Sequence, residues 1–312
     1  MVEKLDFQHN KIQGVDLETL QASICENYPN GLPVGDAYHH QVIGDVIEMA
    51  TERGLRPTVT DCFVANNRDR YRPGVTLDTQ KAMEYGEEDP RSYIFRRVYC
   101  NILLEAMEGD DKHVCAAVSY SQRGVSVAFG AHVHYCRNLM LLGEGHLLST
   151  YGLGIEAQKK ELVSPYEIMR QKMAQWFAGY EWNADDIRTT YHRLNETEFN
   201  HECYLELLAE LMRARICKDS VEDVIHEKEA YPLNSAQINA ACERYLIDCA
   251  RRDSQVKTTF WDVFNIFNYD LKPEHNDLPA IIPQSVRLLE IFFNVYELMK
   301  HGKRIMPVGT VD

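Results

Sequence analysis

The sequence predicts an α+β protein, with an antiparallel sheet in the N-terminal half followed by a mostly helical C-terminal half. Three observations carry this prediction. Residues 113–136 alternate in character about a turn, the period becomes helical beyond Gly154, and no glycine falls between Gly179 and Gly302. A chain of 312 residues divides into two domains on a prior of roughly 150 residues each. The change of period sets the boundary, giving an α+β domain over 1–154 and a helical domain over 155–312, or two layers of one domain.

Each element follows from its own pattern. From Asp36 to Arg53, Val42, Ile43, Val46, Ile47, Met49 and Ala50 recur at helical spacing, and Gly54 is a ready stop. Thr58 to Val64 is β-prone. Residues 66–90 are polar, hold two prolines and read as a long connection, of the kind that carries function or takes its order from a partner. Tyr93 to Leu103 is aromatic and β-branched. His113–Tyr120 and Val125–Cys136 flank Ser121-Gln122-Arg123-Gly124, a hairpin turn. Along the second of these strands, Val125, Val127, Phe129, Ala131, Val133 and Tyr135 make one apolar face. Ser126, Ala128, Gly130, His132, His134 and Cys136 make a small, polar one. One face therefore meets the core and the other meets something different. In the second half, Ser164-Pro165-Tyr166-Glu167 is a capping box with proline at the first helical position. Helices are predicted over 184–194, 200–217, 235–251, 258–268 and 284–300. The stripe Phe260-Trp261-x-x-Phe264-x-x-Phe267 reads as core.

Charge narrows the function. Lys and Arg number 33 against 47 Asp and Glu, a net charge of −14. Such a surface repels phosphate unless a local basic groove offsets it. The halves share the charge: 14 basic and 21 acidic groups lie in 1–150, and 19 and 26 in 151–312, which is −7 each. No run of 18 apolar residues suggests a membrane span, and the N-terminus lacks an apolar signal core. The nine cysteines are odd in number and form no C-x-x-C pair, as reduced thiols of a cytoplasmic protein do.

Few residues offer chemistry. His132 and His134 share a strand face and could grip a zinc ion, with a further ligand from His113 or His146. Cys136 lies ~13 Å beyond His132 at strand rise, too far to join them; the alternative is a polar sheet face packed under helices. Glu198-x-x-His201 and Asp223-x-x-His226 have the helical spacing of carboxylate-bridged metal sites, a pattern acidic helices also produce by chance. Arg68, Arg70, Tyr71 and Arg72, with Arg91, Arg96 and Arg97, interleave charge and aromatic rings as single-strand binders do. Acids on the same stretch (Glu84, Glu87, Glu88, Asp89) favour ordinary ion pairing instead. His39-His40 reads as a helix-surface pair. There is no Walker loop, G-x-G-x-x-G, G-x-S-x-G or H-E-x-x-H, so no catalytic residue and no cofactor is assigned.

Several stretches together resemble phage- and plasmid-borne proteins of unknown function. They are Gly31-Leu32-Pro33-Val34, Tyr93-x-x-Arg96-Arg97-Val98, Val127-Ala128-Phe129-Gly130 through Cys136-Arg137-Asn138-Leu139, Leu233-Asn234-Ser235-Ala236-Gln237-Ile238-Asn239 and Thr259-Phe260-Trp261-Asp262-Val263-Phe264-Asn265. The family carries no established catalytic residues. The resemblance implies a non-catalytic protein that binds and inhibits a host defence protein, such as a nuclease complex. It would act by blocking or caging the nucleic-acid-binding surface. Phage inhibitors of the Gabija anti-defence type are similar in size and acidic character. The alternatives are a single-strand annealing protein using the arginines above and a metal-dependent enzyme using His132 and His134. Self-association is expected with any of the three.

Overall fold

The structure is a computed structural model that describes residues 12–22, 39–65, 97–107, 112–121, 124–133, 138–149, 165–216, 232–251, 256–273 and 278–302. Seven strands form one sheet: β1 (Ile12–Gly14), β2 (Thr58–Ala65), β3 (Arg97–Ala106), β4 (Lys112–Ser121), β5 (Gly124–Val133), β6 (Asn138–Leu141) and β7 (Leu147–Ser149). Neighbours run antiparallel in chain order from β1 to β6, and β7 also pairs with β5. The helices are α1 (Leu17–Ala22), α2 (His39–Glu52), α3 (Pro165–Ala178), α4 (Tyr180–Glu196), α5 (His201–Ile216), α6 (Ser235–Arg251), α7 (Phe260–Asn268) and α8 (Ile281–His301). An antiparallel sheet followed by a helical half is thus the architecture.

β4 and β5 pair from Ser121↔Gly124 out to Lys112↔Val133, the hairpin that the alternation predicts. Their apolar residues behave as one face. Val114, Ala116, Val118, Val125, Val127, Phe129 and Ala131 join a core cluster with Val42, Ile43 and Val46 of α2, Met173 and Phe177 of α3, and Ile187 of α4. The same cluster runs on through Leu207 of α5, Phe264 of α7 and Phe292 of α8. Residues on both sides of the 154/155 boundary therefore share one continuous core.

The small face of β5 is not left open. Every residue from Gly124 to Val133 is buried. Tyr99, Leu103, Cys115, Ala117 and Ala128 form a second cluster with Leu278, Ile281, Ile282 and Val286, so the short 3₁₀ turn Leu278–Ala280 and the start of α8 cover that side. Beyond Val286, α8 sends Leu288, Ile291, Phe292 and Val295 into the first cluster. It serves both cores. Among the described residues, the segment Leu278–His301 is the one long and apolar enough to cross a membrane, and 67% of that window is buried. Its apolarity is that of a central core helix. Gly302 ends it with a left-handed φ of 63°, its N–H donating to Leu298 O at 2.9 Å.

The edge beside β5 is irregular in a way the sequence reading misses. β6 and β7 lie along the same side of β5, and Phe129 joins them. Its N–H donates to His146 O at 3.0 Å, and its O accepts from Leu142 N–H at 3.1 Å. Residues 143–146 bulge out between these two bonds, with Gly145 at φ 79°. Opposite β6, Gly130 is required by close approach: a Cβ there would lie 1.8 Å from Met140 O. Gly130→Ala is expected to destabilise the fold by about 3 kcal/mol, the upper part of the range for overpacking, because backbone must move. A urea midpoint within error of the parent would contradict this.

Candidate protein-docking face

The α3–α4 corner is built outward from β5. Phe129 stacks on Trp176 at a centroid distance of 3.5 Å, and Phe177 and Tyr180 pack around that pair. The 143–146 bulge delivers His146 against the same ring. Trp176 Nε1–H donates to His146 Nδ1 at 3.2 Å, so Nδ1 is unprotonated, and Nε2–H faces Asp186 Oδ2 at 3.0 Å. Burial holds the imidazole pKa below its ordinary value, only partly countered by Asp186, so this His is neutral with both nitrogens engaged. Gly179 is the lone residue between the two helices. Asn183 Nδ2 closes the corner by donating to Trp176 O at 2.8 Å.

Two carboxylates set the orientation of these helices. Tyr166 of α3 donates its hydroxyl to Asp45 of α2, and Arg170 Nε lies 3.2 Å from the same oxygen. Tyr180 donates to Glu105 Oε2 at 3.0 Å and Arg188 to the same atom at 2.5 Å. Burial, then the adjacent carboxylate, pushes both phenol pKa values upward, so each phenol stays a donor. Ion pairs this exposed contribute at most about 1 kcal/mol each. Burial of Trp176 and Phe129 contributes on the order of 2–3 kcal/mol per side chain. Apolar packing therefore holds the corner, and the clamps fix its rotation.

On its outer side the corner carries Trp182, 84% exposed. Glu181, Asp185 and Asp186 are exposed beside it on the first turns of α4. The buried stripe of that helix is Tyr180, Ala184, Ile187, Tyr191 and Leu194, and Trp182 falls off it. The sequence reading starts this helix at 184 and so never weighs Trp182. A helical wheel drawn from Tyr180 would have turned it outward.

The residues singled out from sequence fare differently. His132 is buried on the α8 side of β5, directly across from His113 of β4. His146 lies against α3 and α4, the opposite side, and cannot complete a site with His132. Among the described residues there is no group of three or more His, Cys, Asp or Glu able to hold a metal ion; His134 and Cys136 lie outside them. Glu198 precedes α5, which begins at His201, so no helix face joins the two; Glu198 pairs with Lys257 at 2.8 Å instead. Asp223 and His226 fall outside the described residues. So do Arg68, Arg70, Tyr71, Arg72, Arg91 and Arg96, while Arg97 opens β3 opposite Ala65. His39 is no surface residue: it is buried, edge-on to Tyr120 at 5.6 Å. Phe260, Trp261, Phe264 and Phe267 are core, as their spacing predicts.

Comparison with family models, curated proteins and solved structures gives no match to this chain.

Two outcomes test the geometry. Trp176→Phe keeps a ring on Phe129 but strips His146 Nδ1 of its donor, and is expected to cost about 1–2 kcal/mol in a denaturant melt. Burial, then repulsion from His40, lowers the His39 pKa from 6.5 to about 3. The unfolded chain takes up this proton first, so the contribution of His39 to stability is full above pH 6.5 and is lost as pH falls toward about 3. His39→Leu is expected to flatten that decline, followed as thermal midpoint against pH.

Proposed function

We propose that this chain is a non-catalytic binding protein. Its acidic surface occupies the nucleic-acid-binding surface of another protein, and in a phage or mobile element that partner is a host defence protein such as a nuclease complex. The observation that carries the reading is Trp182, exposed among Glu181, Asp185 and Asp186 on a corner fixed from within. An exposed tryptophan is a large apolar anchor of the kind that dominates binding energy once desolvated. The surrounding carboxylates complement the Lys and Arg that a protein uses to track phosphates. The net charge of −14 extends that complementarity over the whole molecule. The host and defence setting comes from the resemblance to phage- and plasmid-borne proteins. The reading includes self-association in the host cytoplasm, for which Leu205 and Met212 of α5 and Leu246 of α6 supply exposed apolar side chains; light scattering measures it.

The test is expression in defence-bearing strains. The parent chain is expected to restore phage plating and to retain a defence protein on affinity beads, and a Trp182→Ala, Asp185→Lys double variant to lose at least tenfold in both. Asp186 is left intact because it holds His146. Failure of the parent chain in both assays sinks the reading. Salt-sensitive filter binding of single strands that disappears in Arg70→Ala, Arg72→Ala would replace it with the annealing role.

A further inference from the structure

Cys62 of β2 and Cys100 of β3 are register partners, and both are buried on the main core side. An antiparallel ladder offers two kinds of opposed pair. Only in the non-hydrogen-bonded kind do the side chains approach most closely, with Cα atoms about 4.5 Å apart. The backbone bonds identify which kind this is. Cys62 O accepts from Val15 N–H at 2.8 Å, so the peptide groups of Cys62 point toward β1 and away from β3. The other edge of the sheet agrees. Phe129 spends its N–H and O on the β6–β7 side, which makes Ala116↔Phe129 and, two residues on, Val118↔Val127 non-hydrogen-bonded pairs of β4 and β5. Val118 therefore bonds to β3, where its partner is Cys100. The peptide groups of Cys100 are thus turned to β4, and Cys62↔Cys100 is a non-hydrogen-bonded pair from both directions.

That spacing lies within the Cα range of about 4.4–6.8 Å that a disulfide spans, at its short end. The bond can close without moving backbone. Both thiols are free. The hydrogen bond from Cys62, then burial, pushes the Cys100 thiol pKa upward, so Cys100 rests as a thiol. Among the described residues, the strand outside β2 at this sheet edge is the three-residue β1, the side from which opening would give access. Fraying of so short a strand is a low-energy opening.

We propose that Cys62 and Cys100 form a reversible cross-strand disulfide by exchange with a low-molecular-weight disulfide. One cysteine, deprotonated during edge opening, attacks a sulfur of the small disulfide and releases one small thiolate. The second protein thiol, losing its proton, then attacks the mixed disulfide and releases the other. Two protein thiols are oxidised, one small disulfide is reduced to two thiols, and the protons pass to the departing thiolates. The product staples β2 to β3 and closes a ring through residues 63–99, which include the connection 66–96 between those strands. This inference is independent of the docking face.

The experiment uses the full chain, folded, incubated with oxidised glutathione at pH 8, then alkylated and digested without reductant. The expected product is a linked peptide pair joining Cys62 to Cys100, two hydrogens lighter than the free peptides and separated by dithiothreitol. The thermal midpoint should rise by about 5 °C and fall back on reduction, as closing a ring of this length predicts. A variant with Cys203, Cys242 and Cys249 all replaced by serine should still form the link, and Cys62→Ser should not. Alkylated thiols at both positions after incubation would overturn the proposal. So would a stable glutathione adduct on either, pairing of either with another cysteine, or a link that forms only in denaturant.

Discussion

The rest of the structure depends on the two-sided burial of β5. A strand with every residue from Gly124 to Val133 inside must be covered on both faces, and the two faces make different demands. The large side chains Val127, Phe129 and Val133 require a thick apolar layer, which α2, α3 and α4 supply. The small ones leave room for a closer neighbour, which the Leu278–Ala280 turn and the start of α8 fill with Leu278, Ile281 and Ile282. Because α8 continues from that site into the helical core, the order of the C-terminal half is tied to the side-chain sizes of one strand. Asn268 adds a buried tether, its Nδ2 donating to Leu139 O of β6 at 2.8 Å.

Charge and aromaticity are divided by the same logic. The chain has three tryptophans. Trp176 and Trp261 are buried, the first stacked on Phe129 and the second edge-on to Tyr191 at 4.9 Å, while Trp182 stands in solvent. Asp45 and Glu105 are bound to tyrosine and arginine and serve to hold helices. Glu181 and Asp185 face outward. Asp186 belongs to both groups, anchoring His146 with one oxygen while its side chain is 60% exposed. The α3–α4 corner thus rests on interior contacts whose apolar part outweighs the ionic part. A change in salt would screen the outward carboxylates before it loosened the corner.

How much of this was legible in the sequence depends on the range over which each feature is specified. Alternation at 113–133 marked the β4–β5 hairpin because the pleat repeats every two residues. The spacing of Phe260, Phe264 and Phe267 marked a core helix because their partners need only be apolar. The 3₁₀ cover over the small face of β5 was not legible, since Ala128 and Gly130 read alike against solvent or against a close neighbour. The bulge at 143–146 escaped because its strands, three and four residues long, are too short to show a period. His132 and His134 looked like a site because sequence shows strand neighbours and not the opposed face; the fold sets His146 on the other side of the sheet. Glu198 and His201 failed as a pair because the chain enters α5 only at His201.

By itself, the sequence determined the fold class, the hairpin, most helices, the shared acidity of the two halves and the lack of a recognisable catalytic motif. These properties reside in local periodicity and composition. Only the tertiary structure decided that both halves pack on one core, that α8 covers the small face of the sheet, that Trp182 is the tryptophan left outside, and that Cys62 stands opposite Cys100. The physical reason is common to all four. Each depends on which residues distant in the chain meet across the sheet, and that is set by strand register and two-sided burial, which no local pattern encodes.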